Sequence, residues 1–384
     1  MDFFDQETHA QRRTRLLLCL FGLAVFAFVV LTYLILAIPI QFFSPALATS
    51  MTFFQFIWAP RLAFWVAAGT LFSTTLGCLY KMRLLAGGGS AVAELLGGRK
   101  VDDNPANLDE RRLRDVVQEM AIASSLPVPE IYLLDRERGI NAFAAGYTRD
   151  DVAIGVTFGA LKLLNRDELQ GIVAHEFSHV LNGDTRLNMK LMSLAHGLSW
   201  PTIVGRVLVR GTTRAPEIGE SIFDTGTDPV FLPTAPIGVL FLTIGGISSP
   251  LVRLIKSLVC REREWLADAA AVQFTRNPAG LAGALKKIGG LFKQGRLDTP
   301  FAETASHLYF ANSDYEPWFQ FLSTHPPLAK RVLAIDPAFD GQFPHLQSLP
   351  RPPVEDSQEY KYDRQYEESV RRARKEAKTR GELE

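Results

Sequence analysis

The chain has 384 residues, enough for two domains, and its 41 basic and 41 acidic side chains cancel, so no global charge points to nucleic acid. There are only 3 cysteines: Cys19 and Cys78 fall in apolar runs and Cys260 lies near another. Neither a disulfide framework nor a cysteine metal site is supported. From Leu16 to Ile38 there are 23 residues without a charge, preceded by Arg12, Arg13 and Arg15, which is enough to cross a hydrocarbon layer ~30 Å thick. A cleaved signal peptide is the rival reading, because Ala46-Leu47-Ala48 resembles a cleavage site. The apolar run exceeds the usual ~7–15 residues and that site lies well beyond it, so we read a retained span. A second run, Leu62 to Tyr80, has 19 residues without charge and ends at Lys81 and Arg83. The connection from Pro39 to Pro60 carries no charge, and cationic flanks at the two outer ends place those ends in the cytoplasm. The chain beyond residue 83 is then cytoplasmic.

Leu84 to Gly98 is glycine-rich but no Gly-Lys-Ser/Thr comes after it. It reads as a flexible connector and not as a phosphate-binding loop. Asp109 to Ser125 has Leu113, Val116, Val117 and Met120 at helical spacing, predicting an amphipathic helix. After Pro127 and Pro129 come three short runs with strand character, Ile131–Leu134, Ile140–Ala145 and Val152–Thr157, with Gly146 to Asp151 as a turn. A small sheet is expected there.

The sheet leads into His175-Glu176-Phe177-Ser178-His179, the HExxH pattern of zincins. Residues four apart share a helix face, so both imidazoles can meet one metal with Glu176 beside them. Asn165 with Glu168 three residues on resembles a capping box, Asp167 and Glu168 suit the positive end of a helix, and Gly183 can close the other end. A helix is predicted from about Arg166 to Asn182, with Leu169, Ile172, Val173, Phe177, Val180 and Leu181 as its apolar stripe. Catalytic zinc needs a third protein ligand, leaving one position open for water.

Downstream, Leu191 to Val209 is a possible span that carries His196 and Pro201, and Val230 to Val252 is a cleaner one, 23 residues without charge closed by Arg253 and Lys256. If the third ligand lies after Val252, an even number of crossings must separate it from His175, so the two runs are read as a hairpin. Glu264 and Asp268 then lie four apart on a helix reaching about Thr275. Glu264 would complete a His-His-Glu set, and Asp268 could accept the outer N–H of a ligand histidine. Glu262, Glu303 and His307 remain rivals for the third ligand on sequence alone.

Several segments together resemble the HtpX-type membrane zinc metallopeptidases, relatives of the CAAX prenyl proteases. They are HExxH and the downstream ExxxD, Asn141-Ala142-Phe143-Ala144-Ala145-Gly146, Asn182-Gly183-Asp184, and Thr324-His325-Pro326-Pro327-Leu328-Ala329-Lys330-Arg331. The resemblance covers roughly residues 84 to 335. It implies a gluzincin-like catalytic domain, and with the sheet and spans read above the expected fold is α+β, mainly helical with a small sheet, plus about four transmembrane helices. It implies one Zn2+ per chain held by His175, His179 and Glu264, with Glu176 as general base and Asp268 behind the ligands. It implies Asn141, Ala142, Phe143 and Ala144 as the sheet edge that pairs with an extended substrate, and His325 and Arg331 as groups that steady the oxyanion.

The expected organisation is a membrane region at 1–83 and a peptidase domain in two parts, 84–186 and 257–336, around a transmembrane hairpin at 187–256. A proline-rich linker and a charged tail occupy 337–384. The expected activity is hydrolysis of peptide bonds at the cytoplasmic face of a bacterial membrane, with membrane proteins as substrates and quality control as the role. A prenyl-protein processing protease and a non-proteolytic zinc-stabilised scaffold or holdase are the alternatives. Partners are a polypeptide substrate and the lipid bilayer, with no nucleic acid; the sequence implies no particular oligomeric state.

Overall fold

The computed structural model describes residues 19–37, 60–210, 235–291, 310, 325–346 and 349. The chain divides into two compact units, Met1–Gln347 and Ser348–Glu384, and the described helices and strands all lie in the first. They are α1 (Cys19–Ala37), α2 (Pro60–Leu84), α3 (Gly88–Leu95), β1 (Arg99–Lys100), α4 (Leu108–Ser124), β2 (Glu130–Leu134), β3 (Ala142–Ala145) and β4 (Ala153–Thr157). They continue with α5 (Phe158–Leu163), α6 (Arg166–Leu181), α7 (Asp184–Arg210), α8 (Ala235–Thr275), α9 (Pro278–Gly290) and α10 (Leu328–Ile335).

The four strands lie in the order β1-β2-β4-β3. β4 is parallel to β2 and antiparallel to β3, which leaves β3 at one edge of the sheet. Helices cover both faces, so the strands read as apolar runs instead of alternating. Ile131, Leu133, Ala142, Ala144, Ile154 and Val156 face the core shared with α4, α6 and α9. Tyr132, Leu134, Phe143, Ala145 and Ala153 face the other way, onto Val92, Ala93 and Leu96 of α3 and Met189 and Met192 of α7.

The glycine-rich stretch expected to be a flexible connector is instead helix α3. Its glycines serve close approach: a Cβ on Gly89 would sit 2.2 Å from the Ala145 carbonyl oxygen. The start of the expected proline-rich linker is packed as well. Lys286 bridges Asp336 at 2.7 Å, the rings of Phe339 and Phe343 meet at a tilt with centroids 5.3 Å apart, and Leu291 pairs with Leu346. The two rings belong to the apolar core that α9 shares, and Phe343 lies against Gly289.

Among the described residues three helices are long and apolar enough to cross a membrane: Cys19–Ala37, Pro60–Leu84 and Pro236–Thr275. The run Leu191–Val209, expected as a fourth, lies within α7, a helix of 27 residues that does not qualify; His196 and Arg206 lower its hydropathy. α7 nevertheless packs along both α2 and α8. Leu187, Leu191, Ala195 and Leu198 join Ala24 and Phe28 of α1 and Val252, Ile255 and Val259 of α8 in one apolar cluster. Tyr80 and Trp200 flank the ring of His196, with centroids 6.0 and 5.7 Å away. The run after Val252, expected as a separate helix, is continuous with the span before it, since α8 runs 41 residues from Ala235 to Thr275. The loop 211–234, the rivals Glu303 and His307, the side chain of Glu262 and the charged tail from 355 lie outside the described residues.

Candidate metal centre

Helix α6 starts where the sequence predicts. Asn165 Oδ1 accepts from the Glu168 amide at 2.9 Å and Glu168 Oε2 accepts from the Asn165 amide at 2.8 Å, a reciprocal capping box. Gly183, with φ of 70°, takes the left-handed turn that ends it. The helix is buried well beyond its apolar stripe. His175 and Glu176 are buried, and His179 is nearly so.

The two ring Nε2 atoms lie 3.2 Å apart. Glu264, one buried side chain of α8, brings Oε1 to 3.6 Å from His179 Nε2 and Oε2 to 3.7 Å from His175 Nε2. A tetrahedral ion with bonds of ~2.0–2.2 Å needs ligand atoms about 3.3–3.6 Å apart. The donors of His175, His179 and Glu264, all within 4.8 Å of one another, therefore have the spacing and the N,N,O chemistry that such an ion takes.

The outer ring nitrogens fix the tautomers. His175 Nδ1 lies 2.9 Å from Asp268 Oδ1, and His179 Nδ1 lies 3.1 Å from Asp184 Oδ2. Carboxylates only accept, so each Nδ1 side of the ring is turned to its acid, which leaves each Nε2 as the nitrogen that can take a proton or a cation. Each carboxylate is in turn gripped by an arginine. Arg331 donates Nε and Nη2 to Asp268 at 2.8 and 2.7 Å, and Arg263 Nη1 lies 3.1 Å from Asp184 Oδ1. Asp184 and Arg263 carry no role in the sequence reading. The signal for them was present, since an acid just past the Gly183 turn is one helical turn beyond His179 and Arg263 immediately precedes Glu264.

Burial pushes His175 down to about 4, against Asp268. Burial also works to lower His179, yet Asp184 and Glu264 outweigh it and lift that ring to about 10. The carboxylates that favour a proton there favour any cation. Burial would raise Glu264, but His325 and Arg331 hold it well below the usual carboxylate range. Glu176 goes the other way: burial pushes it up to about 8, against the pull of His179. Its Oε1 has no hydrogen-bond partner among the described residues. A carboxyl tuned to the neutral range with an unused oxygen suits proton transfer.

His325 Nδ1 lies 2.8 Å from Glu264 Oε2 and the residue is buried. Arg331 is fully buried and its donors are committed, to Asp268, to the Phe310 carbonyl at 2.9 Å and to Glu264 Oε2 at 3.2 Å. Both side chains thus meet at Glu264. Asn141 to Ala144 are buried too, and the Phe143 ring points away from the centre, over Gly155. What this segment presents to the centre is backbone. The Ala144 N–H faces Glu176 and favours its carboxylate. Phe310, which sequence reasoning missed, sits with its ring centroid 4.7 Å from that of His175.

Residues 107–338, well over half of the chain, match Peptidase family M48. The chain belongs to peptidase family M48. The M48 match takes in every residue of the centre, from Asn141 to Arg331. Relatives include "Protease HtpX homolog" of Thermoanaerobacter pseudethanolicus, 34% identical over 229 residues, 59% of this chain and 72% of that protein. The protein of the same name from Streptococcus uberis is 32% identical over 223 residues, 56% of this chain and 70% of that one. A crystal structure of S. mikatae Ste24p aligns at a TM-score of 0.40 and 19% identity, covering 70% of this chain but only 58% of that one, a likeness too low to carry an argument. This M48 chain is a membrane metallopeptidase of HtpX type.

Proposed function

We propose that this M48 peptidase is a zinc-dependent endopeptidase that cleaves membrane-protein substrates at the cytoplasmic face of a bacterial membrane, as part of protein quality control. The observation that carries the reading is the convergence of His175, His179 and Glu264 beside Glu176. Those three residues would hold one zinc ion, and Asp268 and Asp184 would keep the imidazoles in the tautomer that offers Nε2. Zinc, when bound, supplies a Lewis acid and acidifies water to a pKa of ~7. Glu176 takes a proton from the attacking water and delivers it to the leaving amine; its carboxyl, pushed up to about 8, is suited to both halves of that exchange. His325 and Arg331 hold Glu264 ionised.

The cytoplasmic side is supported by the cationic flanks of the first two spans. The pairing of α7 with α8 as a hairpin is supported by the packing of α7 on α2 and α8, which lets its polar residues face protein. A membrane substrate is supported by α8, one helix that carries both a candidate span and Glu264. At 1.5 Å per residue the ligand lies about 18 Å along that helix from Val252, within reach of segments leaving the bilayer. The test uses detergent-solubilised protein with casein and with a membrane protein, before and after chelation and with zinc restored. Hydrolysis that survives chelation, or no hydrolysis of either substrate, sinks the reading.

A further inference from the structure

Ala142 and Ala144 are the residues of β3 whose backbone groups face away from the sheet. Thr157 N–H bonds the Asn141 carbonyl at 3.1 Å, and Asn141, Phe143 and Ala145 stand opposite Thr157, Gly155 and Ala153. Alternate residues therefore point to the free edge. Among the described residues both edge groups of Ala142 are already used within the chain. Ala142 N–H bonds its neighbour Asn141 Oδ1 at 2.9 Å. The Ala142 carbonyl accepts from Phe310 N–H at 3.0 Å, a donor shared with Asn141 Oδ1 at 2.9 Å. The Ala144 N–H faces Glu176 and favours its carboxylate. Phe310 is itself pinned: its carbonyl accepts from Arg331 at 2.9 Å, its ring lies against His175 at 4.7 Å, the Arg331 guanidinium sits over that ring at 4.8 Å, and the residue is fully buried.

We propose that Phe310 is a built-in end-stop of the substrate edge, a specificity-determining residue that confines strand pairing to Ala144 and excludes it at Ala142. The proposal rests on the reading of β3 as the edge that takes substrate. An extended polypeptide can then give β3 one backbone N–H, where an open edge of this length would take two, from substrate residues two apart. The enzyme reads a short backbone register close to the bond it cuts and makes no use of a longer strand in the Ala142 direction.

The test is a set of peptides derived from one cleaved substrate, each N-methylated at a single backbone nitrogen, with kcat/KM measured for each. Loss of one hydrogen bond costs about tenfold. Apart from the scissile nitrogen, wild type is expected to be sensitive at one position. Phe310→Pro, which has no N–H to give Ala142, is expected to gain a second sensitive position two residues away, while Phe310→Ala, which keeps the N–H, retains the wild-type pattern. Two sensitive positions already in wild type, or one in Phe310→Pro, overturns the end-stop and leaves the edge reading intact. No sensitive position in any protein sinks the edge reading itself. Should Phe310→Pro not fold, hydrogen exchange decides. The Phe310 amide is expected to stay protected when a peptide is bound to the Glu176→Gln protein, and deprotection on binding overturns the proposal.

Discussion

Arg331→Lys separates two roles for the arginine. If Arg331 steadied an oxyanion, a shortened cation would leave fold and metal affinity intact and lower kcat. The geometry assigns it otherwise: a fully buried guanidinium gives two parallel bonds to Asp268 at 2.7 and 2.8 Å, a third to the Phe310 carbonyl and a contact to Glu264 at 3.2 Å. Lysine keeps the charge but not the fork. One bond to a charged acceptor, about 1.5–3 kcal/mol, and the donor of a buried carbonyl, about 1–3 kcal/mol, are lost together, so at least about 2.5 kcal/mol of stability goes. For a domain of this size that is a fall in Tm of at least about 5–10 °C. Because Asp268 then turns more freely behind His175, zinc affinity should drop about 10–100-fold. The assay is thermal denaturation in detergent alongside zinc retention against a graded chelator. An unchanged Tm and unchanged zinc affinity with kcat alone reduced would refute the clamp and restore the oxyanion role.

Glu176→Gln should retain zinc and lose about 10²–10⁴-fold in kcat; zinc content with a peptide assay checks both halves, and undiminished turnover dismisses the base. Asp184→Asn should weaken zinc binding about 10–100-fold, as for other partners of ligand histidines, read by competition with a chelator. In chelator-treated protein the buried Glu176 carboxyl, lifted to about 8, keeps a proton that the unfolded chain, near 4.5, has released. The folded state binds more protons across that interval, so stability falls as pH rises from about 4.5 to about 8. Glu176→Gln lacks this term and should gain on wild type between pH 5 and pH 8 in chemical denaturation; parallel curves would contradict the burial argument.

The parts of this protein written in local chemistry were legible in its sequence, and the parts made by distant packing were not. Helix α6 is set by Asn165 and Glu168, three residues apart, and by Gly183, so its limits follow from side chains that act on their own turn. β2, β3 and β4 are short apolar runs bounded by turn residues and fall within a residue or two of expectation, whereas β1, the charged pair Arg99–Lys100, carries no such signal and was not expected. Arg253 and Lys256 marked the end of a span and suggested the end of a helix. No glycine or proline stops the chain between Val252 and Thr275, and the helix runs on. The glycines at 87–89 signalled flexibility where the fold uses the missing Cβ for contact. Phe310 is 169 residues from Asn141 and carries no motif, so nothing in the sequence ties them.

The centre is built from two chains of contacts of the same kind. His175 of α6 meets Asp268 of α8, which Arg331 of α10 holds; His179 of α6 meets Asp184 of α7, which Arg263 of α8 holds. Each imidazole is oriented by an acid on a second helix, and each acid by a cation on a third. The two Nε2 atoms therefore converge only when α6, α7, α8 and α10 are docked together. Those helices reach beyond the catalytic core, since α7 and α8 continue into the apolar cluster with α1. On the proposed zinc reading, metal affinity and the packing of the membrane-proximal bundle form one linked equilibrium: an ion that binds only the docked arrangement stabilises it, and whatever shifts α7 against α8 acts on the spacing of His175, His179 and Glu264. Exposed surface loops could not make that link, because the coupling runs through buried ion pairs whose separation leaves charges unpaired in the interior.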